Sequence, residues 1–194
     1  KLPPPDPLRV LFQSTFLPGK GHTELLDAVA AVPDHDRSRV SVNFAGRFQS
    51  VSEERDFLRR IEHMPNVKYC GVVSGEQKRS LLAEAHLLCL PTYYAYEGQP
   101  ISILEGYAAG CAVITTNHSG IGDVFADGVN GYVVEKKSAG SLQAAIEKAL
   151  RRPADLHAFA KTNHAAALGK YRPERYTADL LGILAELQAR ISCC

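Results

Sequence analysis

The sequence predicts an α/β fold: a doubly wound, Rossmann-like parallel sheet of about six strands. Three observations carry this. Short apolar runs alternate with helical segments from residue 8 to residue 134, as βαβ units do. A chain of 194 residues, 45% of them hydrophobic, can build one substantial core. The stretch 87–116, LLCLPTYYAYEGQPISILEGYAAGCAVITT, reads as strand, polar loop, short apolar helix and strand.

Taken in order, residues 1–7, KLPPPDP, are Pro-rich and read as a linker arriving from something upstream. Residues 8–13 are a first strand. Residues 14–21, STFLPGKG, form a loop, and Thr23 is the expected N-cap of a helix reaching Val32. Residues 39–45 alternate toward an apolar end and stop at Gly46, giving a second strand. Residues 52–63 carry mixed charge with Phe57, Leu58 and Ile61 at helical spacing. A third strand spans 66–70, a turn 71–75, and a helix 76–85 with Leu81, Leu82 and Ala85 on one face. Strands at 87–90 and 112–115 flank a helix at 101–110. A Gly/Ser/Asn loop at 117–122 leads to a short helical turn at 123–126. Asn130–Gly131 signals a turn before the sixth strand at 132–134. Helices at 141–150, 154–168 and 173–191 follow, broken at Pro153 and at 169–172, with Pro173 suited to a first turn. The expected division is a linker over 1–7, a Rossmann-like domain over 8–172 and a C-terminal helix over 173–194.

The net charge of +1 argues against a dedicated nucleic-acid partner. No apolar run is long enough to span a membrane, and no secretory leader is visible. The five cysteines show no metal-ligand spacing. Cys70, Cys89 and Cys111 read as small buried residues of a reducing compartment. Cys193 and Cys194 receive no role. A cytoplasmic location is expected.

The helix at 101–110 carries one charged residue, Glu105. Ile101, Ile103, Leu104, Tyr107, Ala108 and Ala109 cover most of its circumference, so burial nearly all round is expected. A carboxylate there is costly unless hydrogen-bonded. Glu97 lies in the preceding loop, with seven residues between the two acids. Gly98 and Pro100 lead into the helix, whose start offers free N–H groups and a positive dipole end to a diphosphate. In a doubly wound sheet, ligands sit outside the carboxyl ends of the strands near the reversal of strand order. The loops after strands one, four and five, carrying Lys20, residues 97–100 and residues 118–120, are expected there. Lys20 is either a point charge for phosphate or a plain surface lysine. Carboxylates are poor partners for phosphate but natural acceptors for sugar hydroxyls. Two acids about a helix N-terminus therefore fit a nucleotide sugar better than a simple nucleotide.

YEGQPISILEGYAAGCAVITT resembles the E-x7-E motif of retaining glycosyltransferases with the two-domain GT-B fold, family 4 (group 1). KGHTELLDA, NVKYCGVV and HSGIGDVFADGVNGYVV extend the resemblance across the C-terminal, nucleotide-sugar-binding half of such enzymes. It implies transfer of a hexose from a nucleoside diphosphate to an acceptor hydroxyl with retention. By it, Glu97 is catalytic, binding the hexose hydroxyls beneath the reacting sugar, and Glu105 accepts from the ribose. The backbone of Gly98, Gln99, Pro100 and Ile101 lines the sugar and phosphate site. Lys20 contacts the diphosphate, and Gly71 and Val72 lie against the base.

The resemblance further implies a UDP-, GDP- or ADP-sugar donor, no cofactor and no metal. The acceptor, a glycan or a lipid-linked sugar, would be held by an upstream domain, with peripheral attachment to the inner face of a membrane as an option. Alone, the chain is expected to bind a nucleoside diphosphate weakly and to transfer little sugar. Departures from the family pattern are Ser14 and Thr15 where a cation is usual, Gly106 for Ala, His118–Ser119 for small residues and Asp123 for Glu. Arg47 is the candidate substitute cation. His118 reads as a loop residue, and Tyr93, Tyr94 and Tyr96 as loop packing or a sugar platform. The alternatives are a non-catalytic nucleotide-sugar-binding module and a nucleotide-independent interaction domain.

Overall fold

The computed structural model describes residues 6–192. Residues 1–5 of the expected linker, and Cys193 and Cys194, lie outside the described residues. Six strands form one sheet: β1 (Leu8–Gln13), β2 (Val40–Ala45), β3 (Val67–Tyr69), β4 (Leu87–Leu90), β5 (Ala112–Thr116) and β6 (Gly131–Val134). Their order is β3-β2-β1-β4-β5-β6, and every pairing is parallel. The helices are α1 (His22–Ala30), α2 (Asp34–Arg37), α3 (Val51–Ile61), α4 (Gly75–Glu84), α5 (Ile101–Ala108), α6 (Ala139–Arg151), α7 (Pro153–Lys170) and α8 (Pro173–Ser192). Strand order reverses between β1 and β4, as expected of a doubly wound sheet.

Parallel strands need helical crossovers, which cover both faces of the sheet. Every residue of β4 and β5 is accordingly buried. Helix α1 packs on α6, and α5 on α7. The α5 ring of Tyr107 is fully buried, and its hydroxyl donates to the Val124 carbonyl at 3.0 Å. Burial pushes that phenol's pKa up. Asn163 of α7 is also fully buried. Its amide nitrogen donates to the Cys111 and Asn130 carbonyls at 2.8 and 2.9 Å, and its oxygen accepts from Asn130 at 2.7 Å. Helix α7 is thus tied to the start of β5 and the turn before β6 with the buried amide fully satisfied.

Most element bounds match the expectation within two residues. Helix α1 does not use Thr23 as its cap. Gly21 holds that position with φ +83° and no side-chain cap. A Cβ there would meet Pro91 at 2.5 Å, so the close approach of the β4 end demands glycine. Helix α3 begins at Val51 because Ser50 and Glu53 form a capping box. Helix α2 was not anticipated, and a 3₁₀ turn at Ser119–Asp123 replaces the one expected at 123–126. Helix α5 is buried on one side only, through Ile103, Gly106 and Tyr107, while Ile101 is 71% exposed. Its first turn faces an open cavity instead of a packing partner. Gly106 sits against β4, where a Cβ would stand 2.9 Å from Leu88 Cδ2. Cys89 and Cys111 are buried, whereas Cys70 is half-buried.

The register Leu8↔Val40 through Gln13↔Ala45 brings the loops after β1 and β2 to one edge. Phe16 N–H donating to Arg47 O at 2.8 Å knits them there, and Gly46 N–H donating to Gly71 O at 2.8 Å ties in the segment after β3. Gly46 has φ +149°, and a Cβ would stand 1.7 Å from Ser14 O. Gly46→Ala is therefore expected to destabilise by about 3 kcal/mol, read as a lowered urea midpoint. An unchanged midpoint would contradict this packing.

Candidate active site

The carboxyl ends of β1, β2 and β4 open onto a cavity of about 660 Å³ at the strand-order reversal. Lys20 enters it from the loop after β1, Arg47 from the loop after β2, and Val72 and Val73 from the segment after β3. Helix α4 contributes Lys78, and the start of α5 contributes Glu97, Gln99, Pro100, Ile101 and Ser102.

Glu97 is held from two sides. Lys20 Nζ lies 2.8 Å from Glu97 Oε2, with 12% and 8% of the two side chains exposed. Thr92 Oγ1 donates to the same oxygen at 2.7 Å. Oε1 has no hydrogen bond among the described residues, so one carboxylate oxygen remains free to accept from a ligand. Lys20 Nζ also stands 4.7 Å from the centroid of the Tyr94 ring. The 93–99 loop is braced from behind. His118 Nε2 contacts Tyr94 O at 2.8 Å, Ser119 Oγ donates to Glu97 O, and Tyr93 N–H donates to Gly19 O at 2.6 Å. Residues 118–120, expected to line the cavity, instead support the loop that does.

Glu105 is not enclosed in apolar surroundings. Its Oε1 accepts from Lys78 Nζ at 2.6 Å and its Oε2 from Gln13 Nε2 at 2.8 Å. It lies behind the cavity wall to which both donors belong. Helix α5 has no side-chain N-cap. The N–H groups of Ile101 and Ser102 and the positive end of the helix dipole therefore stand at the cavity without a side-chain cap, while Ile103 N–H donates to Pro100 O at 3.1 Å. Arg47 is exposed and has no ion pair among the described residues.

Of the residues anticipated from sequence, Lys20, Val72, Glu97, Gln99, Pro100 and Ile101 line this cavity together. Glu105 touches it through its partners. Gly71 and Gly98 adjoin the wall without forming it. Gln13, Thr92 and Lys78 were not anticipated. Gln13 and Thr92 sit at or just past the carboxyl ends of β1 and β4, where a doubly wound sheet puts its ligand, and that rule could have found them. Among the described residues, no group of three or more His, Cys, Asp and Glu side chains is placed to hold a metal ion.

A second cavity, of about 470 Å³, lies on the other side of the β1–α1 loop. The His22 ring stands 5.0 Å from that of Phe16, and its Nδ1 is buried without a partner. Burial lowers the His22 pKa against the opposing pull of Glu24 and Glu53. Nearby, Tyr93 donates to Glu24 at 2.5 Å, and burial pushes the phenol up to about 12. That phenol remains a donor at neutral pH.

A family profile described as Glycosyl transferases group 1 matches residues 1–166. The amylovoran biosynthesis glycosyltransferase AmsK of Erwinia amylovora is 30% identical over 94 residues, 46% of this chain and 23% of that one. Glycogen synthase of Mycobacterium tuberculosis is 27% identical over 130 residues, 66% of this chain and 31% of that one. The chain thus spans less than half the length of these curated relatives. The crystal structure of HepE from Anabaena in complex with UDP superposes with a TM-score of 0.81 over 93% of this chain and 49% of that one, at 19% identity. The sheet and its helices are therefore one half of a GT-B fold.

His22 yields a pH test. Its neutral form is favoured in the fold, while the unfolded chain has the ordinary histidine value near 6.5. Its contribution is present above about pH 6.5 and is lost as pH falls. The urea midpoint should drop between about pH 7.5 and 5.5, and His22→Phe should drop less over that interval. Equal drops would show that His22 is not held neutral.

Proposed function

The chain belongs to the glycosyl transferases group 1 family, and from that membership we propose that it is the donor-binding half of a retaining enzyme that moves a hexose from a nucleoside diphosphate to an acceptor hydroxyl. One observation carries the reading. Glu97, paired with Lys20, lines the cavity at the strand-order reversal beside the uncapped start of α5, and Glu105 is joined to the same wall through Lys78 and Gln13.

The diphosphate would lie on the first-turn N–H groups of α5, between Lys20 and Arg47. As the bond from the sugar's anomeric carbon to phosphate breaks, negative charge grows on the leaving diphosphate, where these groups are already aimed. Preorganised donors of this kind are worth about 100- to 1,000-fold in rate each. Glu97, held by Thr92 and with Oε1 free, would accept from the hexose and face the positive charge that develops on the ring. Glu105 would take the ribose, and Gly71 and Val72 the base. Arg47 answers the missing cation at Thr15, because it reaches the same wall from the neighbouring strand. The chain's own cations neutralise the leaving group in this reading, so transfer should persist in chelator.

The donor would carry UDP, GDP or ADP, and the UDP bound to HepE makes a UDP-sugar the first to try. The acceptor, a glycan or a lipid-linked sugar, would belong to a further domain. We assign residues 173–194 the role of crossing to it, which the exposed Tyr176, Leu181 and Ile183 of α8 support. A lipid-linked acceptor would suit a cytoplasmic enzyme peripheral to the membrane, with the exposed Arg151, Arg152, Lys161 and Lys170 as its basic edge.

In the intact protein, Glu97→Gln is expected to lower transfer by about 100-fold or more while nucleoside diphosphate affinity changes little. Arg47→Ala should weaken that affinity by about tenfold at low salt, less at high salt. Undiminished transfer by Glu97→Gln would remove Glu97 from the chemistry. Tight binding with no transfer by the wild type would make the chain a binding module instead.

A further inference from the structure

On the donor-site reading above, we propose that Ser119 is a positioning residue for Glu97. It stands in a strained backbone conformation, and from there its hydroxyl holds the Glu97 carbonyl and so sets the direction of the acid's side chain.

The segment that follows β5 is bonded stepwise to the loop that follows β4. Thr116 Oγ1 donates to Thr92 O, His118 Nε2 lies 2.8 Å from Tyr94 O, and Ser119 Oγ donates to Glu97 O. A carbonyl oxygen only accepts, so His118 presents Nε2–H to it. Gly120 comes next, and a Cβ on it would stand 3.3 Å from Gly98 O. The two segments therefore run against each other as far as the entry to α5.

These contacts fix both peptide planes that flank the Glu97 Cα. Glu97 N–H donates to Tyr94 O at 2.9 Å, the same carbonyl that His118 holds. Ser119 holds the plane on the other side through Glu97 O. A residue has only two soft backbone dihedrals, so with both planes anchored the Cα–Cβ bond of Glu97 has a set direction. Lys20 and Thr92 hold the far end of the side chain, at Oε2. Without Ser119 they would hold a carboxylate whose root can tilt.

Strain is the independent pointer. Ser119 has φ +49°, and among the described residues only it and Lys137 are non-glycine residues with positive φ. Serine seldom adopts this left-handed conformation, and glycine adopts it freely. The Ser119 side chain is exposed, so burial does not offset the cost. What serine has at this position and glycine lacks is the hydroxyl on Glu97 O. Strain of this kind collects at functional sites, and here the strained residue is bonded to the residue that faces the sugar.

Three variants of the intact protein test this, because activity should follow the hydroxyl while stability follows the backbone. Turnover is read as release of nucleoside diphosphate from UDP-, GDP- and ADP-glucose and the corresponding mannose donors, with water as acceptor. Ser119→Gly should lower kcat by about tenfold or more, as misplacement of a catalytic group does. Its affinity for the nucleoside diphosphate should stay within about twofold of wild type, and its urea midpoint should hold or rise. Ser119→Ala should lose as much kcat with a lower midpoint, since it keeps the strain without the bond. Ser119→Thr should keep most of kcat despite a lower midpoint, because a β-branched residue fits left-handed backbone worse than serine. Undiminished turnover by Ser119→Gly would overturn the inference, and so would a midpoint for it below that of Ser119→Ala. A kcat that simply tracks the midpoint across the three would reduce Ser119 to a structural residue and overturn it too. Each of these outcomes leaves the donor reading intact. A wild type that turns over none of the donors would overturn both.

Discussion

Lys20 and Glu97 meet at 2.8 Å with almost no side-chain surface left to solvent. Two charges so enclosed depend on each other, because removing one partner leaves the other buried and unpaired at a cost of about 3–5 kcal/mol. The pair draws together the loop after β1 and the loop that leads into α5, and Thr92 adds the end of β4 through the same oxygen. Gly19 takes part as well, accepting from Tyr93 N–H. The geometry of the cavity mouth is therefore set before any ligand arrives.

The same pair poses a choice for the diphosphate. Lys20 faces Glu97 in the free chain, yet phosphate is the partner proposed for it. A diphosphate offers more negative charge than one carboxylate, and a lysine on a flexible stem can follow it. Glu97 would then lose its counter-charge at the moment the sugar above it becomes cationic. Thr92, which donates to Oε2 in the free chain, would keep the carboxylate aimed. Arg47 requires no such exchange, since it carries no ion pair among the described residues. It stands on this wall because β1 and β2 are in register to their ends, Gln13 opposite Ala45.

The fold was legible in the sequence because strand and helix periodicities are local. LRVLFQ and LLCL mark their strands to the residue. Glu97 and Glu105 stood out for a related reason, as two acids framing an otherwise apolar helix. Their partners were hidden. Gln13 is 92 residues from Glu105, and Lys78 is 27 from it. Only the placement of β1 beside β4 and of α4 beside α5 brings them together. Thr23 looked like a cap because capping preference is local, whereas the need for Gly21 comes from Pro91, just past the end of β4 and far away in sequence. The pattern of α5 likewise gave its apolar content but not which side faces empty space. Asn130 and Asn163 read as ordinary polar residues until their mutual burial is seen.

The most direct measurement is a crystal structure of the chain with a nucleoside diphosphate sugar. We expect the diphosphate on the first-turn amides of α5, Lys20 Nζ moved from Glu97 Oε2 to a phosphate oxygen, and the sugar against Glu97 Oε1. A nucleotide bound outside this cavity, with the Lys20–Glu97 contact still at 2.8 Å, would contradict the proposed role of the site.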